Sequence, residues 1–398
     1  MLKEKIKALA KQHFNQILQI RRHLHQYPEL SFQEKETSKY IQQQLQQAGI
    51  GFKAGFVGTG ILASIEGKNP RKKTILLRAD MDALPIEEKN EIDYKSLTPG
   101  IMHACGHDVH SACALGAAFI LNEIKDEWEG TIKIMFQPGE EVLPGGASLM
   151  IKEGILENPK VDKALALHVF PGMESGKVGF KSGMYMASTD ELYITVNGKG
   201  GHAAMPNDYV NPLIIASEML IEINARFMQS DSLKGTEGEN IPTVVAFGKI
   251  EGKGATNVVP PKVDIAGTLR TMNESWRENV HSQLHRIVKS YSEKYGIESH
   301  LRIANGYPYL VNDVELTNLC TALAKDYLGT ENVEELLIRM TAEDFAFITQ
   351  KIPSCFFRLG TSGKQKTFTD GVHSPTFNID ESALQTGMEM MAWLAVQV

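Results

Sequence analysis

Thr74-Ile75-Leu76-Leu77-Arg78-Ala79 (TILLRA) is followed at once by Asp80-Met81-Asp82. A nearly continuous apolar run, rather than an alternating one, predicts a strand buried on both faces, as in a parallel sheet covered by helices. Its carboxyl end delivers two carboxylates, and open α/β sheets gather their chemistry along that edge. The same design recurs twice. Thr131–Phe136 (TIKIMF) runs into Gln137-Pro138-Gly139-Glu140-Glu141, and Lys163–Leu167 (KALAL) ends at His168. Three strand-like segments ending on ionisable residues predict a site along one edge of a mainly parallel sheet.

Outward from these strands the periodicity becomes helical. Residues 2–26 repeat apolar positions at helical spacing (Ile6, Leu9, Ala10, Phe14, Ile17, Leu18) and stop before Tyr27-Pro28. Further helices are predicted near 33–48, 109–124, 312–328, 342–350 and 381–396, with strands at 61–66 and 355–359 (CFFRL). Between 187 and 300 the texture changes. Glu191–Asn197 (ELYITVN) alternates like a half-exposed strand, followed by a helix over 211–228, strands at 243–250 and 263–270, and a helix over 275–295. That pattern predicts one open sheet with two helices on one face. The expected fold class is therefore α/β: a mainly parallel-sheet catalytic domain flanked by helices, formed by 1–186 and 301–398, with a smaller α+β domain, 187–300, inserted as a lid or dimerisation unit. Ser230–Asn240 (SDSLKGTEGEN) is polar and reads as an exposed loop.

Composition narrows the function classes. A chain of 398 residues exceeds one comfortable core, which agrees with two domains. The formal charge of −7 leaves no basic footprint for nucleic acid, and no Lys/Arg cluster suggests an anionic membrane. The N-terminus MLKEKIKALAKQHFNQ is charged and amphipathic rather than a signal peptide, and no apolar run could span a bilayer. Four cysteines (Cys105, Cys113, Cys320, Cys355) do not make a disulfide framework and fit a reducing compartment, so a cytoplasmic location is expected.

The densest chemistry is His103-Ala104-Cys105-Gly106-His107-Asp108-Val109-His110. Cys and His two apart can reach one metal centre, and thiolate with imidazole suits a zinc-like ion. Gly106 between them lets the backbone fold closely around such a centre. An isolated Glu140-Glu141 would read as a solvated acidic turn. Beside a Cys-x-His cluster at another strand end, it reads as a division of labour, one carboxylate ligating and the other acting as general base. His168 and His373, the latter within Asp370-Gly371-Val372-His373-Ser374-Pro375, are the further donor candidates. Gly198–His202 (GKGGH) has the glycines of a phosphate loop but no Ser/Thr in Walker spacing, which removes that reading.

The ordered series RRHLHQYPELSFQE (21–34), RADMDALPI (78–86), MHACGHDVH (102–110), FQPGEE (136–141), LHVFPG (167–172), GKGGHAAMPN (198–207), ATNVVP (255–260), GTLRT (267–271), AEDFAF (342–347) and HSPTFNIDE (373–381) covers nearly the whole chain. By these motifs the chain resembles the metal-dependent amidohydrolases that include hippurate hydrolase, N-acetyldiaminopimelate deacetylase and the plant hydrolases of indole-acetyl amino acids. These are relatives of the aminoacylase and glutamate carboxypeptidase group.

The resemblance implies two divalent ions per subunit, zinc or manganese first and cobalt or nickel as alternatives, held by Cys105, His107, Glu141, His168 and His373. It implies Glu140 as general base and Asp82 as a buttress of the metal site. Asp80 has the weaker claim, because relatives with another ligand set carry a His there. In the insert it implies His202 as oxyanion donor, Asn257 and Arg270 as carboxylate binders, and a homodimer in which the histidine serves the partner's site. His23, His25, Glu29 and Glu34 are assigned helix packing, and Glu343-Asp344 support of the fold.

The expected activity is hydrolysis of N-acyl amino acids (acetyl, benzoyl or similar) by a metal-activated water. The alternative is a dipeptidase or carboxypeptidase acting on a true peptide bond with the same dinuclear site. A metal-dependent binding protein without turnover is the rival from another class, and the retained Glu140 argues against it. The expected partners are a small N-acyl amino acid or short peptide, not nucleic acid or membrane.

Overall fold

The computed structural model describes residues 2–227, 241–363 and 368–398, so the loop expected over 230–240 lies outside the described residues. The chain forms two compact units. The first comprises Met1–Gly183, Val311–Leu337 and Asp344–Val398, and the second Met184–Leu310 with Ile338–Glu343.

The first unit is built on an eight-stranded sheet in the order Gly51–Phe56, Gly60–Glu66, Thr131–Gln137, Thr74–Asp80, Lys163–Glu174, Ser354–Ser362, Val178–Phe180, Val333–Glu335. Its four central strands, from Thr131–Gln137 to Ser354–Ser362, are parallel. All seven residues of Thr74–Asp80 are buried, as its nearly continuous apolar run predicts, and so are all seven of Thr131–Gln137. Alternation survives inside that burial. Ile75, Leu77 and Ala79 join Ile134, Leu165 and Phe357 in one apolar cluster shared with the helices Leu2–Gln26, His107–Glu123 and Ala383–Gln397. The intervening positions Arg78, Asp80, Gln137, His168 and Arg358 are buried too, yet polar. Because side chains alternate along a strand, one face of the sheet is greasy and the other carries the charge.

The helix expected over 342–350 is present only as Ala346–Thr349. Asp344 accounts for the difference. Its carboxylate accepts hydrogen bonds from Arg78, Gln137 and the Ala147 amide, and the residues before it, 341–343, form no helix. The edge strands Gly51–Phe56 and Val333–Glu335, and Val178–Phe180 beside the latter, were not expected from local pattern.

The second unit is a four-stranded antiparallel sheet, ordered Thr243–Glu251, Lys262–Thr271, Asp190–Asn197, Glu298–Asn305, with the helices Pro212–Phe227 and Glu274–Tyr295. The expected boundary at 300 is corrected, because Glu298–Asn305 pairs along its whole length with Asp190–Asn197 and carries the unit to Leu310. Glu274–Tyr295 starts at Asn273, whose Oδ1 accepts from Trp276 N at 2.8 Å, and ends at Gly296 with φ 62°. Among the described residues no helix is long and apolar enough to cross a membrane.

Asp190 ties this unit together. It accepts from Arg277 Nε at 2.9 Å and from the Gly306 amide at 3.1 Å, and its Oδ2 lies 2.6 Å from His281 Nε2. Burial alone would raise its pKa, but the hydrogen bonds from Arg277 and His281 outweigh it and hold the carboxyl at about 2, below the ordinary 3.8. A depressed carboxyl stabilises the fold above its ordinary pKa and loses that contribution as pH falls from about 4 towards about 2. Asp190→Asn should therefore lower Tm at neutral pH and flatten the acid limb of the Tm–pH curve. A variant with the unaltered protein's acid limb would refute this assignment.

Candidate metal centre

Cys105 and His107 flank Gly106, which immediately precedes the His107–Glu123 helix. Gly106 has φ 82°, and a Cβ there would stand 2.7 Å from Val169 Cγ2, so the turn that presents both donors requires glycine. Cys105 Sγ lies 3.5 Å from His168 Nε2. Glu141 Oε1 lies 3.2 Å from His373 Nε2 and 3.9 Å from His107 Nε2. Donor atoms of Cys105, His107 and His168 fall within 4.8 Å of one another, as do those of Cys105, Glu141 and His373, and those of His107, Glu140 and Glu141. The five side chains named as ligands from sequence thus converge, with Glu140 beside them. His373 comes from a distant loop, anchored by its own amide, which donates to Ala104 O at 2.7 Å.

The donors fit a divalent ion by what they leave unmatched. His107 Nδ1 sits 2.8 Å from Asp82 O and 3.2 Å from Asp82 Oδ1, which places its proton there and leaves the Nε2 lone pair to the centre. That Nε2 is buried and has no hydrogen-bond partner among the described residues. An unsatisfied buried polar atom costs about 1–3 kcal/mol, a cost that coordination removes. His168 Nδ1, 2.9 Å from Val169 O, is oriented in the same manner. A thiol, three imidazoles and a carboxylate form a donor set for borderline ions of the zinc type.

Electrostatics point the same way. Burial and then the charge of Glu141 raise the Cys105 thiol. Burial opposes protonation of His107, but the charges of Asp80 and Cys105 prevail and lift it well above the ordinary histidine range. Hydrogen bonds to Cys105 and Glu141 raise His373 to about 10. Burial, then Arg358, keeps His168 well below its ordinary value. The pocket therefore draws in positive charge, as protons or as a cation.

Asp80 forms a further donor group with His107 and His110, its Oδ2 3.7 Å from His107 Nε2, and it is also engaged with its neighbours. Its Oδ2 accepts from Arg78 at 2.6 Å, its Oδ1 lies 2.6 Å from His110 Nδ1, and His110 Nε2 accepts from the Val169 amide at 3.0 Å. It thus braces the residue next to His168. Arg78 also donates to Gln137 at 2.8 Å and to Asp344 at 2.7 Å, and the Asp344 amide donates to Glu140 Oε1 at 3.4 Å. Glu141 N donates to Asp82 Oδ2 at 3.0 Å. Sequence assigned Asp82 a buttressing role and Asp344 support of the fold, but not the links through Arg78, Gln137 and His110. The available signal was a charged residue, Arg78, inside a run that is otherwise nearly all apolar.

Helix packing is also too modest a description of His25. Its Nδ1 lies 2.9 Å from Asp108 Oδ2 and its Nε2 3.2 Å from Glu88 Oε1, while Arg21 Nε donates to the same Asp108 oxygen at 2.8 Å. Together they brace the first turn of the helix that begins at His107. His103, in the middle of the motif, is buried and contributes to none of the donor groups.

In the second unit, His202 is exposed in a short ribbon where His202 pairs with Val258. The Ala203 amide donates to Asn257 O at 3.0 Å, so His202 and Asn257 share that ribbon. Arg270 lies on the Lys262–Thr271 strand, opposite Val244. It is half-buried, its pKa is lowered by that burial, and it makes no ion pair with any described residue.

The chain belongs to peptidase family M20/M25/M40, whose model matches residues 76–397. It is 37% identical over 369 residues to an N-acetyl-L-cysteine deacetylase of Bacillus subtilis, covering 93% of this chain and 85% of the relative. It is 35% identical over 402 residues to thermostable carboxypeptidase 1 of Saccharolobus solfataricus, covering 100% and 98%. A solved Bacillus subtilis structure described as a dinuclear metal binding peptidase from the M20 family superposes with a TM-score of 0.81 at 30% identity, covering 97% of this chain and 98% of that one. The resemblance drawn from the motifs holds at the level of the family, and the protein is a hydrolase of amide bonds.

Since Cys105 and His373 hold protons that an ion must displace, metal loading should release protons and tighten as pH rises. Calorimetry near pH 7 in buffers of different ionisation enthalpy should detect about one proton or more per chain. A titration without proton release would overturn this donor set. Chelation should also lower Tm, because ions binding only the native state stabilise it by mass action.

Proposed function

We propose that this chain hydrolyses the amide bond of N-acylated amino acids, releasing a carboxylate and an amino acid. The observation that carries the reading is the Glu140-Glu141 pair, of which Glu141 sits 3.2 Å from His373 while Glu140 reaches the same group of donors. Cys105, His107, Glu141, His168 and His373 would hold two divalent ions, zinc or manganese ahead of cobalt or nickel. Bound there, such ions supply Lewis acidity to the attacking water and the scissile carbonyl. Glu140 takes the proton of the water and returns it to the departing nitrogen. Asp82 keeps the His107 proton on Nδ1 and restrains the Glu141 backbone through its amide. His202 serves as donor to the tetrahedral oxyanion, and Asn257 with Arg270 binds the substrate carboxylate. Support for Arg270 is that it is a half-buried guanidinium with no ion pair of its own among described residues, a state that favours a bidentate carboxylate.

The deacetylase relative favours an acyl-amino acid. The carboxypeptidase relative, at 35% identity, keeps a true peptide bond as the second reading. The inserted unit would form a homodimer, a reading supported by Ile214 and Ile221 on the Pro212–Phe227 helix, which are 57% and 69% exposed. A cytoplasmic location is supported by the four cysteines, all free and buried.

Glu140→Gln should lower kcat by roughly 10²–10⁴-fold with metal content unchanged, while Glu141→Gln should lose metal. Equal metal loss in both variants would mean that the two roles are wrongly divided. A panel of N-acetyl amino acids and dipeptides, with and without chelator, separates the two substrate readings. His202→Ala should cut the chemical step by roughly 10²–10³-fold. Arg270→Ala should raise KM for substrates with a carboxylate and spare their amide-capped analogues, and an equal loss on both would remove Arg270 from the carboxylate site.

A further inference from the structure

We propose that the turn from Glu29 to Glu34, between the first two helices, positions the loops bearing Asp82 and the Glu140-Glu141 pair, with Glu34 as the principal positioning residue. The inference rests on the reading of Glu140 as base and Glu141 as ligand.

Glu34 is fully buried. Its Oε1 accepts from the Gly139 amide at 2.8 Å and from the Phe32 amide at 2.8 Å, and its Oε2 accepts from Thr59 Oγ1 at 2.9 Å. Gly139 is the residue before Glu140. It has φ 61°, and a Cβ there would stand 2.4 Å from the Phe32 ring, so the ring is seated directly on the turn that launches the two carboxylates. Phe32 itself has φ 62°, a conformation that costs a bulky residue on the order of 1–3 kcal/mol. Its ring over Gly139 and its amide bonded to Glu34 offset that cost, so the strain is held in place by this contact.

The other end of the same turn holds Asp82. Ser31 Oγ donates to Asp82 Oδ2 at 2.6 Å, and the Ala83 amide donates to Glu29 O at 2.8 Å. Glu29 Oε2 in turn caps the Thr37 amide at 2.8 Å, tying the turn to the Lys35–Gln47 helix. Asp82 Oδ2 also accepts from Glu141 N, which closes a ring: Ser31 to Asp82, Asp82 to Glu141, Glu141 back along the chain to Gly139, and Gly139 to Glu34. Ser31 and Glu34 stand in none of the donor groups of the centre, so they act through the residues they hold. Two peptide amides buried here require an acceptor, and an apolar side chain at position 34 would leave both unmatched.

The experiment compares Glu34→Met, near in shape but without acceptors, with Glu34→Gln, which keeps an acceptor for both amides. Burial raises the Glu34 carboxyl to about 7, so the amide is a fair mimic of its protonated form. The readouts are kcat and KM on an N-acetyl amino acid, and the affinity for Mn²⁺ and Zn²⁺ by chelator competition. Glu34→Met should weaken metal binding by about 10–100-fold and lower kcat by about 10-fold or more with little change in KM, and Glu34→Gln should recover most of both losses. A folded Glu34→Met protein with unchanged metal affinity and kcat overturns the proposal, and so does a Glu34→Gln protein as impaired as Glu34→Met.

If Glu34→Met does not fold, Ser31→Ala carries the test at the other end of the turn. It should weaken the metal by about 3–10-fold, and an unaltered affinity overturns the proposal. Glu140→Gln run alongside separates the two readings. Retained turnover in that variant removes the base assignment and leaves the metal-affinity result standing. Loss of turnover there, with normal metal affinity in Glu34→Met, removes the positioning role alone.

Discussion

Arg78 carries a full positive charge into a strand position sealed from water. The desolvation of such an ion costs several kcal/mol and is recovered only when each of its donors meets a well-placed acceptor. Asp80, Gln137 and Asp344 meet that demand at 2.6–2.8 Å. These acceptors come from two neighbouring strands and from a segment 266 residues away in sequence, so one guanidinium fixes how the three approach. The consequences reach the centre by short steps. Asp80 aligns His110, which holds the amide after His168. Gln137 begins the loop that ends in Glu140 and Glu141, and Asp344 presents its amide to Glu140.

The donor cluster depends on that scaffold because its members repel or desolvate one another when left alone. Asp82, Glu140 and Glu141 bring negative charge to a region where Cys105 and His107 are almost wholly buried. Asp80 and Cys105 draw a proton to His107, and Cys105 and Glu141 draw one to His373. A divalent cation satisfies the same demand with one centre and also matches the buried His107 Nε2, which has no hydrogen-bond partner among the described residues. Charge balance, more than any single bond, explains why these residue types are gathered at the carboxyl edge of the sheet. The same electrophilic centre is what amide hydrolysis requires, since an amide carbonyl yields to water only when polarised.

Much of this was legible in local pattern. The nearly continuous apolar run of Thr74–Ala79 announced a doubly buried parallel strand, and it and the strand expected at Thr131–Phe136 are buried at every position. The motif resemblance singled out Cys105, His107, Glu141, His168 and His373, and their donor atoms lie in groups within 4.8 Å. Other features were hidden. Glu298–Asn305 is half-exposed along an edge and shows little apolar alternation, so its pairing with Asp190–Asn197 was not foreseen. Ala342–Phe345 has helix-forming residues, yet Asp344 is recruited by Arg78 and the helix is confined to Ala346–Thr349.

What the sequence by itself determined is whatever repeats within a few residues. That includes the period of each segment, the glycine turn between Cys105 and His107, the Asn273 and Gly296 ends of a helix, and the chemical character of the site. What only the tertiary structure decided is which partner each buried charge takes. Arg78 chose Asp344, His25 chose Asp108 and Glu88, and Glu34 chose the amide of Gly139. A local pattern sets which face a side chain presents, but a buried ion must be neutralised by whatever the folded chain brings within about 3 Å, and that distance has no counterpart in sequence separation.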